Sequence, residues 1–307
     1  MIHVRDEATG LLVPKPEIVH PGICDLIFTA PVGFYGASNK SLIDILTDLS
    51  LTTNLKICLD AGDINSYDGS SADWADVSGN IGADEFFRGS TSGSDANDPT
   101  FNGSAGGLSA NEYWSFDGAD YFTYGAGNET YMDSLHKASA KFAIITFLYF
   151  TSSPSAKTYG TLGNDPNNVG AQLDLLGTEP KRLSLYVGDG SGPVMSRTDS
   201  DGLSLSYPGW HVFGGAFHEG GGNVSFFYGD TGYDQVSSSD TFSLSYSTPS
   251  SSAATYPMQI GTAGNAASPM PSGSRQVAFA LWSGGTLPTK ANFDDIVAGM
   301  NKRGFGI

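Results

Sequence analysis

The chain has 307 residues, with 32 acidic side chains against 15 basic ones and a net charge of −17. That surface repels phosphate, which sets aside nucleic acid and anionic membranes as partners. No apolar run reaches the ~18–20 residues that a membrane span needs. The 40 glycines follow no Gly-X-Y period, which excludes collagen. Hydrophobic residues at 39% and aromatics at 12% describe an ordered protein.

Residues 1–36 carry several prolines and glycines and show no period. They read as an arm that docks to a particle or as an extension wrapped on its own domain. From Ser38 to Leu51 the spacing of Leu42, Ile43, Leu46 and Leu49 predicts a helix capped by Ser38 or Asn39. The expected organisation is an arm and helix over residues 1–54 and one β domain over residues 55–307. LKICLDAG from Leu55 is its first strand. KFAIITFLYF (Lys141–Phe150) is apolar on both alternating faces, as a central strand covered on both sides requires. AQLDLL, RLSLYVG, WHVFGGAF, NVSFFYG, YPMQIG and RQVAFALW follow, separated by turn residues. At the end Phe293, Ile296, Val297 and Met300 form one helical stripe, with Thr289 as cap. The begin-and-end marks, LDAGD near Leu59 and RGFGI at the terminus, fit a closed sandwich whose first and last segments are neighbours.

From about Leu55 to Ile307 the sequence resembles the concanavalin A-like lectin/glucanase superfamily in its laminin G-like form. The resemblance rests on LDAGD…SYDGS…WADVSGN, SFDGADYF, the pair GWHVFGGAF…GGGNVSFFYG, YPMQIG, RQVAFALW and the terminal helix, in that order. It implies an all-β fold: a two-sheet antiparallel jelly-roll sandwich, here with an N-terminal arm plus short helix and a C-terminal helix. Domains of this type occur on phage particles and on bacterial surface proteins. The preceding arm and the lack of a visible secretory signal favour the particle. The expected partners are other virion proteins through residues 1–50 and cell-surface glycans, with the chain forming a homo-oligomer. The expected location is the virion. A purely structural cement protein and a polysaccharide-cleaving enzyme are the alternatives.

The glucanase branch places two carboxylates on one strand face, spaced as Glu-x-Asp-x-x-Glu or Glu-x-Asp-x-Glu. The glutamates here are scattered and form no such motif, so no enzyme is expected. His211 and His218 have no metal or triad spacing, and His211 beside Trp210 reads as structural. Calcium is the one cofactor to weigh, because Asp60, Asp63 and Asp76 stand in an acidic segment and calcium takes six to eight oxygens. That segment does not match an EF-hand, since Tyr67 and Trp74 occupy ligand positions. Sugar binding needs exposed aromatics beside polar loops, and Tyr67, Trp114, Tyr121 and Tyr124 are the candidates. The competing assignment for Trp74, Trp114, Trp210 and Trp282 is core packing. Cys24 and Cys58 are either two free thiols or one disulfide.

Overall fold

The computed structural model describes residues 3–5, 12–14, 39–80, 85–125, 135–154, 157–158, 169–176, 182–189, 193–197, 203, 205–218, 223–230, 241–243, 251–254, 256–262, 266 and 268–307. The chain divides into two compact units, Met1–Ser38 and Asn39–Ile307. The first contains an antiparallel pair, β1 (His3–Arg5) and β2 (Leu12–Pro14), with Val4 opposite Val13. Cys24 lies outside the described residues.

The second unit opens with α1 (Leu42–Asp48). Short strands follow: β3 (Leu55–Asp60), β4 (Asp73–Trp74), β5 (Phe86–Arg88), β6 (Thr100–Asn102), β7 (Tyr113–Ser115) and β8 (Phe122–Tyr124). Next come β9 (Lys141–Phe150), β10 (Lys157–Thr158), β11 (Val169–Leu176), β12 (Arg182–Asp189) and β13 (Pro193–Arg197). The series ends with β14 (Gly209–His218), β15 (Asn223–Asp230), β16 (Thr241–Ser243), β17 (Gln259–Ile260), β18 (Arg275–Ser283) and α2 (Lys290–Asn301).

One layer is an eight-stranded sheet in the order β16-β15-β14-β9-β18-β7-β6, with β3 also paired to β18. Facing it are two four-stranded sheets, β10-β11-β12-β13 and β17-β8-β5-β4. The described pairings within these sheets are antiparallel. This is the all-β sandwich that the strand pattern predicts. Alternation builds two cores from it. On β9, Phe142, Ile144, Leu148 and Phe150 face the inner core between the layers. Ala143, Ile145 and Phe147 face an outer core roofed by α1 and α2. That double cover explains why Lys141–Phe150 lacks a polar face.

The terminal helix forms as expected. Thr289 caps it through the Asn292 amide, the Asn292 side chain returns a bond to the Thr289 amide, and Phe293, Ile296, Val297 and Met300 are buried. The first helix is shorter than the spacing suggests and begins later. Ser41 rather than Ser38 or Asn39 is its cap, accepting from the Asp44 amide. Leu42, Ile45 and Leu46 are its buried residues, and Ile43 and Leu49 are partly buried against the same core, so Ile45 joins the predicted stripe. Because these residues belong to the outer core, the helix is part of the sandwich body, and the unit boundary falls at Ser38/Asn39 instead of residue 54.

The two termini of the sandwich meet at a buried ion pair. Arg303 Nη1 donates to both oxygens of Asp60, at 2.9 and 2.7 Å, and neither side chain reaches solvent. Asp60 also accepts from the Leu42 amide at the start of α1 (2.8 Å) and from the Gly62 amide (2.9 Å). One carboxylate thus joins α1, β3 and the segment after α2. The packing admits no side chain at residue 62, where a Cβ would stand 2.1 Å from Arg303 Nη2.

Candidate functional site

All four aromatics chosen from the sequence for sugar stacking lie in the interior: Tyr67 is 5% exposed, Trp114 0%, Tyr121 7% and Tyr124 1%. Trp114 sits at the centre of a ring cluster, with centroids 4.7 Å from Tyr67, 5.2 Å from Phe122 and 5.4 Å from Phe101. Tyr124 packs on Phe86 at 5.4 Å. Trp114 on β7, Tyr124 on β8 and Tyr67 in the loop after β3 belong to the inner core, and Tyr121 is buried beside β8. The segment SFDGADYF does not form a hairpin within one sheet. It crosses from β7 in the large sheet to β8 in the small one, through the turn at Asp117–Gly118.

The three aspartates chosen for calcium do not converge. Asp60 is taken up by Arg303, Asp63 caps its own loop by accepting from the Asn65 amide and side chain, and Asp76 accepts from the Cys58 amide and the Ser78 hydroxyl. Among the described residues no group of three or more His, Cys, Asp or Glu side chains is arranged to hold a metal ion. Burial pushes the Asp76 carboxyl above its usual range. Cys58 is a free thiol whose burial, with Asp60, Asp76 and Asp63 adding to it, raises its pKa. His211 is enclosed by Phe150, Tyr207 and Phe213, and burial lowers its pKa to about 4.

Folding does bring carboxylates together. Glu85 lies beside Asp73, Asp95 beside Asp98, and Asp120 beside Asp117. Asp120 accepts from the Asp117 amide at 2.7 Å, and burial, aided by Asp117 and Asp98, lifts its pKa to about 7. The folded state therefore keeps a proton that the unfolded chain releases from roughly pH 4 upward, and stability falls as pH rises toward 7. Asp120→Asn should raise the melting temperature at pH 8 and leave it nearly unchanged at pH 4. His211 contributes with the opposite sign, losing stability as pH falls from about 6.5 toward 4. The difference between mutant and wild-type melting curves isolates Asp120.

Two partly exposed aromatics, Tyr113 and Tyr149, stand on the other side of the large sheet, packed against the outer core. Residues opposite one another on neighbouring strands share a face. Thr100 is opposite Ser115, Ser115 opposite Arg275, Arg275 opposite Tyr149, and Tyr149 opposite Trp210. This makes one row across β6, β7, β18, β9 and β14, with Asn102 and Tyr113 forming a second pair beside it. The Arg275 guanidinium lies 4.5 Å from the Tyr113 ring centroid and 4.4 Å from that of Tyr149. Trp210 backs both tyrosines, at 6.3 and 5.4 Å, and Phe305 supports Trp210 at 4.9 Å. At the edge, Asn102 Nδ2 donates to Ser115 Oγ at 3.0 Å.

Sequence reasoning chose the adjacent residue of the opposite parity. In Tyr113-Trp114-Ser115 the tryptophan turns inward, and the tyrosine and serine turn outward. The partly polar alternation of that triplet was the available signal. Pairing across four other strands, which assembles the row, has no local signature.

At the far end of the same face, ~27 Å along β9 at ~3.4 Å per residue, a cavity of about 450 Å³ opens between Lys141 and Lys290. Ser225, Phe227, Leu287 and Thr289 are among its walls. Lys290 is paired with Asp294 at 2.7 Å.

No protein-family model matches the sequence, and no curated protein matches it. Solved structures share the fold. A botulinum neurotoxin type C structure, described by cell entry that depends on interaction with two ganglioside molecules, superposes with a TM-score of 0.52 at 10% identity, over 82% of this chain and 53% of that one. The binding domain of botulinum neurotoxin DC in complex with rat synaptotagmin II gives 0.50 at 10% identity, over 81% and 52%. The serotype C1 binding domain gives 0.50 at 9% identity, over 81% and 52%. The chain thus spans about half the length of each of these structures. The likeness extends to the β-sandwich they have in common.

Proposed function

We propose that the sandwich is a non-enzymatic, lectin-like module that binds cell-surface glycans through the outer-face row centred on Arg275. The observation that carries this reading is the row itself. Two partly exposed phenols, a guanidinium, an amide and a hydroxyl stand together on one rigid sheet. Sugars are recognised by such a combination, with apolar ring surface for their C–H faces and fixed polar groups for their hydroxyls. The fold shared with a toxin structure described through its ganglioside interaction adds support.

We further propose that the module is displayed on a virion as a homo-oligomer, attached through its N-terminal unit, with the acidic charge keeping neighbouring copies apart. This rests on the sequence resemblance and on the division of the chain into Met1–Ser38 and Asn39–Ile307. Deleting residues 1–38 should abolish incorporation into particles while the remaining sandwich melts cooperatively. Normal incorporation would refute attachment through that unit.

The glycan assignment is tested on an array of bacterial and animal surface polysaccharides. Binding should occur in the wild type and be lost in a Tyr113→Ala/Tyr149→Ala double variant that keeps its thermal transition. A folded protein that binds no glycan, on particles that fall apart without it, would establish the cement role instead.

A further inference from the structure

We infer that Arg275 makes this surface selective for carboxylate-bearing saccharides, an inference that rests on the glycan reading above. Both ring neighbours lie within cation–π range of the guanidinium, at 4.5 and 4.4 Å. With two rings packed against it, the group has its N–H donors left for ligands. No described residue forms an ion pair with it or accepts a hydrogen bond from it, and none of its nitrogens is buried without a partner, so these donors open to solvent. Such a pattern is unusual in a chain with 32 acidic and 15 basic side chains. Arg303 shows the contrast, since it is fully buried and committed to Asp60.

A planar fork of N–H donors matches a carboxylate through two parallel charge-assisted hydrogen bonds, which a neutral hydroxyl does not supply. The two rings already restrict the side chain, so little rotamer freedom remains to be lost on binding. Nothing in the row supplies a competing negative charge: its other members are Thr100, Ser115, Tyr149 and Trp210, with Asn102 and Tyr113 alongside. The hydroxyls and the amide around the guanidinium suit sugar ring hydroxyls, which favours an acidic saccharide over an acidic peptide.

The test uses the full chain and an array in which each carboxylated oligosaccharide stands beside its carboxyl-reduced, neutral form, with sulfated glycans and poly-glutamate peptides included. A charge-assisted pair is worth about 10- to 100-fold in affinity, and the wild type should prefer the acidic member of each pair by that margin. Arg275→Gln should bring the two members to equal affinity, and Arg275→Lys should retain part of the preference. Retained thermal transitions establish that each variant is folded, and Arg275→Lys alone decides if the glutamine variant is not. Equal binding of acidic and neutral forms by the wild type would overturn this inference and leave the glycan reading standing. So would a preference for sulfate or peptide over carboxylated sugar, or a preference that survives in both variants. Absence of binding to any saccharide would overturn both.

Discussion

Asp60→Ala should lower the unfolding free energy by about 3–5 kcal/mol, the usual cost of removing one partner from a buried ion pair. The loss has two parts. Arg303 would be left charged in a site where neither side chain reaches water, and the amides of Leu42 and Gly62 would lose their acceptor. Replacing the whole pair with apolar residues is often close to neutral elsewhere. Here Asp60→Leu/Arg303→Met should remain destabilised, because the two backbone donors stay orphaned. Equilibrium unfolding in urea measures both variants. A loss under 1 kcal/mol for Asp60→Ala would show that closure of the sandwich does not depend on this junction.

Adjacent residues on β7 should separate stability from binding. Trp114→Ala removes the ring at the centre of the inner cluster, and large-to-small changes of a buried aromatic cost about 3–5 kcal/mol. Its immediate neighbour Tyr113 is only partly buried and faces the other side of the sheet. Tyr113→Ala should therefore change the melting temperature far less while weakening glycan binding at least tenfold. Paired melting and array measurements decide the matter. Equal destabilisation by the two changes, or unchanged binding in Tyr113→Ala, would contradict the assignment of opposite roles.

The fold was legible where periodicity is strong and local. Lys141–Phe150 announces double cover by lacking a polar face, and Phe293–Met300 announces a buried stripe behind a threonine cap. The meeting of LDAGD with the C-terminal RGFGI was legible as an adjacency. Its chemistry, an aspartate pairing with an arginine and accepting from a helix amide, depends on residues 18 and 243 positions away. The first helix was placed too early, since Ser38, Asn39 and Ser41 all qualify as caps by composition. The placement of the aspartates in turns and of the aromatics in the core was not legible for one reason. Aspartate is as useful to a tight turn as to calcium, and an aromatic beside a turn is as useful to a core as to a sugar. Which role applies follows from strand parity and cross-strand register, and β7 is a three-residue strand with too little sequence to show either.

The most direct measurement is amide and side-chain NMR shift mapping of the full chain titrated with its best array ligand. Perturbations should gather at Asn102, Tyr113, Ser115, Tyr149 and Arg275. Perturbations confined to the cavity walls around Lys141 and Lys290, or none at saturating ligand, would contradict the outer-face site.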